Sequence, residues 1–120
     1  MTKVYIAGPV SYMPNLNKAE FENMQEKLTA AGFKVVNPLE LCDPSWEWQT
    51  CMKVCIRELM LCDAVIMLPK WESSKGASIE HELAKRVGLS VVYDVESLIV
   101  ERNMELNAGA CIGAVYVNSV

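Results

Sequence analysis

The segment from Ser74 to Glu80 carries the residue types most suited to chemistry. It opens with Ser74-Lys75-Gly76 ahead of a helix-forming stretch, and the free N–H groups of a first helical turn favour an anion such as a phosphate. Gly76 lets a ligand approach the backbone closely, while Ser74 adds a hydroxyl and Lys75 adds a positive charge. The same pattern also fits an ordinary helix N-cap that binds nothing.

Glu80 lies one helical turn further along. Helical spacing puts it on a small and apolar face that is expected to look toward a sheet, together with Gly76, Ala77, Leu83 and Ala84. A carboxylate on such a face, beside an anion site, could act as a nucleophile or a general base. It could also merely stabilise the helix dipole. Glu82 lies on another side of the helix and is expected to be solvated.

Aromatic residues add a second set of candidates. Tyr5 lies near the carboxyl end of a strand-like run, from which its phenol could donate a hydrogen bond to a carboxylate across the sheet. It could equally be a core aromatic. Trp46, Trp48 and Trp71 fall in loops over the same end of the sheet, where they could stack on a flat ring such as a nucleobase or simply cover the core.

Strand-like and helix-like segments alternate along the chain. The pattern predicts strands at residues 3–7, 33–36, 63–69 and 89–93, and helices at about 17–31, 49–61, 76–87 and 95–106. Asn17 is a good residue type for the cap of the first helix. Such alternation is typical of a single α/β domain, residues 1–120, with a doubly wound (flavodoxin- or Rossmann-like) parallel sheet of four to five strands. The tail at about 108–120 fits an edge strand, a swapped arm or a disordered end.

The predicted topology locates the site. In doubly wound sheets, ligands bind outside the carboxyl ends of the strands. Gly8-Pro9, Asn37-Pro38 and the loop after Leu68-Pro69 follow three of those ends. The substrate-binding residues predicted there are Gly8, Pro9, Trp71, Ser74, Lys75 and Gly76.

Composition narrows the class of partner. The net charge is −4 and the longest basic cluster is Lys85-Arg86, which argues against a nucleic-acid polymer, since its binders carry a basic face. A small nucleotide needs only a few local donors and stays compatible with this charge. No apolar stretch reaches the roughly 18 residues that span a bilayer, so no membrane partner is expected.

Cysteine usage favours a reducing compartment. The chain has five cysteines, an odd number, and no secretory signal is recognisable, so a cytoplasmic location with free thiols is expected. Cys51, Cys55 and Cys62 follow helical spacing, which is typical of small buried residues on one helix face. A zinc site would call for CxxC pairs or histidine partners, and His81 is the single histidine, so neither a metal nor another cofactor is predicted.

Three motifs together resemble those of the nucleoside 2-deoxyribosyltransferases and their relatives, the deoxynucleoside-monophosphate N-glycosidases. They are VYIAGP at residues 4–9, CDAVI at residues 62–66, and S-x-G-x-x-x-E-x-x-x-A from Ser74 to Ala84. The resemblance covers about residues 3–93 and is closest to an often phage-encoded subgroup. It implies a homo-oligomer, located in the host cytoplasm if the chain is phage-encoded.

The resemblance also implies roles. Glu80 matches the nucleophile that attacks C1′ of the deoxyribose, and Tyr5 matches the phenol that orients this carboxylate. Ser74 and Gly76 match the pair that holds a 5′-phosphate in monophosphate-specific members, and Gly8 matches the glycine that lets the sugar approach. The reaction then follows retaining-glycosidase logic, with water giving a hydrolase and a second base giving a transferase.

The chain departs from this pattern at one position. The family usually has a carboxylate eight residues before Asp63, where it serves protonation of the base, and here that residue is Cys55. Asp43 or Glu47 could substitute for it. The departure leaves open a non-catalytic protein that binds or sequesters a nucleotide. Asp63 itself starts the third strand, far from the site, and is expected to be structural.

A further alternative is the group of phosphoribohydrolases with a PGGxGTxxE motif. The chain has Pro69 at the corresponding strand end but lacks the Gly-Gly pair. This alternative is therefore the weaker match.

Overall fold

Four short parallel strands form one sheet. The computed structural model describes residues 2–111, with side chains for residues 2–107. The strands are β1 (Lys3–Ala7), β2 (Lys34–Val36), β3 (Ala64–Met67) and β4 (Ser90–Val92), and their order in the sheet is β2-β1-β3-β4. The helices are α1 (Lys18–Ala30), α2 (Trp48–Met60), α3 (Lys75–Arg86) and α4 (Val95–Cys111).

The predicted α/β fold with a parallel sheet is therefore confirmed, with four strands in the described part of the chain. Element boundaries shift by a few residues, and α4 runs further than predicted, to Cys111. The first residues of the predicted tail are thus helical, whereas residues 112–120 lie outside the described residues. Within residues 2–111, no helix combines the length and apolarity that crossing a membrane demands.

The central strand β1 decides which side chains meet which helices. Its residues alternate between the two faces, as a period of two requires. Val4 and Ile6 belong to a core cluster with residues of α1 and α4, including Phe21 and Leu98. Tyr5 and Ala7 belong to the other cluster. The residues that α2 and α3 contribute to that second cluster are Cys55, Leu59, Ala77 and Ala84.

Asp63 stabilises the end of the sheet at which β1 and β3 begin. Its Oδ2 accepts hydrogen bonds from the backbone N–H groups of Thr2 and Lys3, each at 2.9 Å. These bonds hold the pKa of Asp63 below its ordinary value. The structure thus assigns Asp63 the structural role predicted for it, at the start of β1 and β3.

Asn17 does not cap α1 in the predicted way. It precedes the helix, but its side chain makes no capping bond, and its backbone is left-handed with φ of 60°. Instead, Nδ2 of the buried Asn17 donates to the carbonyl oxygen of Pro9 at 2.9 Å. The residue therefore ties the loop after β1 to the start of α1.

Gly8 is required by packing. A Cβ at this position would lie 2.8 Å from both Cβ and Cδ1 of Leu68, which follows β3 and is buried. We expect Gly8→Ala to lower the free energy of unfolding by about 1–3 kcal/mol, because overpacking forces backbone or rotamer shifts. Urea denaturation measures the loss.

Gly76→Ala is the matched control for this prediction. Its added Cβ would meet the flexible end of Met52, with Sδ at 3.1 Å, and alanine favours the helix by roughly 1 kcal/mol over glycine. The control should therefore be near neutral. Equal stability of the two variants would contradict the packing requirement at Gly8.

Candidate functional site

A cavity of about 590 Å³ opens at the carboxyl end of β1. This volume lies in the range of small-molecule sites. With the order β2-β1-β3-β4, the chain leaves β1 and β3 in opposite directions along the sheet, and ligands of such folds bind at that switch point. The predicted site residues that line the cavity are Tyr5, Gly8, Ser74, Gly76 and Glu80.

The other predicted site residues lie outside this lining. The carbonyl of Pro9 accepts the bond from Asn17, and the ammonium of Lys75 lies 4.5 Å from the centroid of a Trp48 ring. Trp71 stacks on His81 with ring centroids 4.0 Å apart. Each of the three residues thus makes a contact within the protein, and the contact of Lys75 is with Trp48, which itself lines the cavity.

Two tryptophans other than Trp71 line the cavity. Trp46 and Trp48, from the segment that leads into α2, line it and are partly exposed, at 42% and 38% of their surface. The sequence placed three tryptophans over this end of the sheet, and Trp71 was the one predicted to bind substrate. The structure brings the earlier two to the cavity and leaves Trp71 on the surface of α3.

Tyr5 and Glu80 meet at the cavity. The phenolic O–H of Tyr5 donates to Oε2 of Glu80, although 75 positions separate the residues along the chain. Glu80 is only 5% exposed, and with Ala77 and Ala84 it forms the face of α3 that packs on the sheet. Since those neighbours are small, the helix approaches β1 closely enough for the two side chains to bond.

Burial sets the protonation of this pair. Removal from water raises the pKa of Glu80 to about 7, and the hydrogen bond from Tyr5 partly opposes that rise. The pKa of Tyr5 is raised in turn, first by burial and then by the charge of Glu80. The phenol therefore stays a donor at neutral pH, beside a carboxyl that is substantially ionised there.

Ser74 caps a helix and also lines the cavity. It is the N-cap of α3, where its Oγ accepts the N–H of Ala77 at 3.2 Å, and it also lines the cavity. A hydroxyl has one donor hydrogen and two acceptor lone pairs. Capping therefore leaves the hydroxyl hydrogen for a ligand at the helix N-terminus.

Cys55 occupies the place at which the resemblance calls for a carboxylate. It is buried, lines the cavity and interacts with the hydroxyl of Tyr5. Burial raises the pKa of its thiol to about 11. At neutral pH this side chain is therefore a neutral thiol, which is a poor proton donor.

The two proposed substitutes for that carboxylate behave differently. Asp43 lines the cavity, but its Oδ1 accepts the N–H and the hydroxyl of Ser45, at 2.9 and 2.7 Å, and these bonds lower its pKa. An aspartate held in its ionised form is a weak acid catalyst. Glu47 is exposed, precedes α2 and is not part of the cavity lining.

The expectation of free thiols is wrong for two cysteines. Cys42 and Cys51 form a disulfide, with Cα atoms 5.5 Å apart. The irregular segment before α2 folds back on the first turn of that helix and brings Cys42 to it, which spacing along the helix alone could not indicate. Among the described residues, Cys55 and Cys62 are free and buried.

Comparisons with known proteins agree with this geometry at the level of the fold. A family model with the description "Domain of unknown function (DUF4406)" matches residues 2–93. The solved structure of a 2-desoxiribosyltransferase from Leishmania mexicana is similar, with a TM-score of 0.63 and 20% identity over 78% of this chain. The chain spans 63% of that structure's length, less than two thirds. No curated protein matches the chain.

Proposed function

For this chain, which belongs to the family described as domain of unknown function DUF4406, we propose cleavage of the N-glycosidic bond of nucleosides or their 5′-monophosphates. Glu80 is the proposed nucleophile and Tyr5 the residue that positions it. The fold, shared with a 2-desoxiribosyltransferase, is compatible with this activity but does not by itself assign it.

One observation carries the proposal. A carboxyl that is buried, hydrogen-bonded by a phenol and raised in pKa to about 7 lines a cavity of ligand size. Burying such a group opposes folding when it ionises, so a site that keeps it there is a candidate for function. Its burial, in contrast to the exposure of the ion pair between Glu82 and Arg86, argues against a surface electrostatic role.

The proposed reaction has two steps. An oxygen of the Glu80 carboxylate bonds to C1′ of the sugar, the C1′–N bond breaks, and its electron pair stays on the leaving base, which takes up a proton from solvent. Water, or the nitrogen of a second base, then bonds to C1′ and gives up a proton to solvent, while the C1′–O bond to Glu80 breaks and its electron pair returns to the carboxylate. With water as the acceptor the chain is a hydrolase, and with another base as the acceptor it is a transferase.

The remaining lining residues support a nucleotide as the substrate. Ser74 and Gly76 offer a hydroxyl and backbone N–H groups at the positive end of α3, where a 5′-phosphate would be favoured. Trp46 and Trp48 offer aromatic faces on which a base could stack. Assembly as a homo-oligomer stays a prediction of the family resemblance.

A second candidate function is nucleotide binding without turnover. It is favoured by the neutral thiol of Cys55 and by the ionised state of Asp43, which together deprive the leaving base of a proton donor. Binding would still use the cavity and the helix N-terminus.

Product analysis tests the proposal. The purified chain is incubated with each common deoxynucleoside and ribonucleoside and with its 5′-monophosphate, and free base is measured by chromatography. We expect base release from at least one of these compounds, and a new nucleoside when a second free base is added to a transferase. Tight binding, measured by calorimetry, with no release from any of them would favour the second candidate.

Tyr5→Phe tests the positioning of Glu80. Loss of a hydrogen bond to a charged group costs about 1.5–3 kcal/mol, so base release should slow by about 10- to 150-fold. Because the bond from Tyr5 lowers the pKa of Glu80, the rise of activity with pH should also move to higher pH. A slower variant whose pH profile coincides with that of the wild type would contradict the positioning role.

A further inference from the structure

Three cysteine sulfurs cluster at the wall of the cavity. Cys51 and Cys55 lie one turn apart on α2, and Cys42 reaches them from the segment before that helix. The Sγ of Cys55 lies 3.6 Å from that of Cys42 and 3.9 Å from that of Cys51. All three sulfurs lie within 4.8 Å of one another, and all three residues line the cavity.

These separations match a known coordination geometry. A tetrahedral zinc ion with Zn–S bonds of about 2.3 Å holds its sulfur ligands about 3.8 Å apart. Two of the three sulfur pairs already have this spacing. The third pair is the disulfide between Cys42 and Cys51. Its reduction by a dithiol adds two electrons and two protons and leaves two thiols, which side-chain rotation can separate.

We propose that the reduced form of this cluster is a binding site for a thiophilic divalent cation of the zinc type. Cys42, Cys51 and Cys55 bind as thiolates, and each thiol that becomes a ligand releases its proton to solvent. The disulfide and the bound ion exclude each other, because both use the sulfurs of Cys42 and Cys51. The site rests on three sulfur positions and does not depend on the proposed glycosyl chemistry.

The fourth ligand would come from the cavity. Three protein ligands and one exchangeable position are typical of catalytic zinc sites, whereas structural sites are closed by four protein ligands. The nearest carboxylate in sequence, Asp43, is engaged by Ser45. Water, or a nitrogen or oxygen atom of a molecule in the cavity, therefore completes the coordination. Cys55 also places the ion next to Tyr5, and through Tyr5 next to Glu80.

Metal titration of the full chain tests this site. The chain is reduced with a phosphine, freed of metal and titrated with Zn²⁺ against a chromophoric chelator, without any nucleotide. A parallel titration with Cd²⁺ follows the ultraviolet sulfur-to-metal absorption. We expect one ion per chain in the reduced form, and at least 100-fold weaker binding after oxidation of Cys42 and Cys51.

Cysteine variants locate the ion. Cys55→Ser should weaken binding at least 100-fold, and so should Cys42→Ser, which alters a partly exposed residue at the edge of the core. Cys62→Ser is the matched control, because Cys62 is free and buried but its sulfur donates to the carbonyl of Glu58, outside the cluster. Equal affinity of the Cys42→Ser and Cys62→Ser proteins, or no binding by the reduced wild type, would overturn the proposal.

Discussion

Replacing Glu80 with glutamine is expected to reduce base release by roughly 10³-fold or more, because an amide oxygen cannot form the glycosyl ester on which both steps depend. Glutamine keeps the size of the side chain, and its amide oxygen can still accept the hydrogen bond from Tyr5. The fold and nucleotide affinity should therefore survive. Product chromatography gives the rate, and calorimetry gives the affinity.

Glu82→Gln is the control for this experiment. Glu82 is two positions away on the same helix, but it is exposed and pairs with Arg86 at 2.7 Å. Its loss should leave base release within about twofold, since exposed ion pairs of this kind contribute little. If Glu80→Gln released base as fast as Glu82→Gln, Glu80 would not be the nucleophile.

The stability of the wild type should fall as pH rises from about 5 to 8. The pKa of Glu80 is about 7 in the folded chain and near 4.5 when exposed, so the folded state binds this proton more tightly. The stabilisation of the folded state by the proton on Glu80 is fully present below pH 4.5 and is lost as pH rises through 7. A shift of this size corresponds to about 3 kcal/mol at most. Urea denaturation at a series of pH values measures it.

Comparison with Glu80→Gln isolates the contribution of Glu80. His81, whose pKa is lowered by burial and by Lys85, titrates in the same window but is common to both proteins. The two stabilities should be similar near pH 5, and the variant should be the more stable protein at pH 8. Such a gain with loss of activity is typical of a residue kept for function. Parallel stability curves would contradict the raised pKa.

The fold was predictable from the sequence because its signals are local. The apolar run at β3, flanked by Asp63 and Pro69, indicated a strand buried on both faces, and the alternation of strands with helices indicated parallel pairing. A glycine follows α1 and another follows α3, which is a typical signal for the end of a helix, and Gly32 and Gly88 both adopt positive φ, at 93° and 82°. These patterns depend on backbone geometry and burial, which neighbouring residues largely determine.

The central pair of the site was predictable for a related reason. The period of α3 put Glu80 on its apolar face, and the family resemblance paired Glu80 with Tyr5, the third of the five residues of β1. Because β1 and β3 are parallel neighbours, β1 lies beside the strand that leads into α3. Only the choice between the two faces of the sheet had to come from the structure.

Features that depend on irregular segments were not predictable. Cys42 reaches Cys51 through a loop without periodicity, and Asn17 bonds to Pro9 because its backbone is left-handed. Trp71 was assigned to the cavity by its loop, yet it stacks on His81. In each case a single loop conformation decides the contact, and residue types at these positions are compatible with several conformations.

A covalent adduct on Glu80 is the most direct test of the account. A nucleoside analogue with fluorine at C2′ destabilises the oxocarbenium-like transition states and lets a glycosyl ester accumulate. Intact-mass measurement followed by peptide mapping should find one glycosyl group on Glu80 in the wild type and in Glu82→Gln, and none in Glu80→Gln. Base release from the analogue with an unmodified Glu80, or with the sugar on another residue, would contradict the assignment of Glu80 as nucleophile.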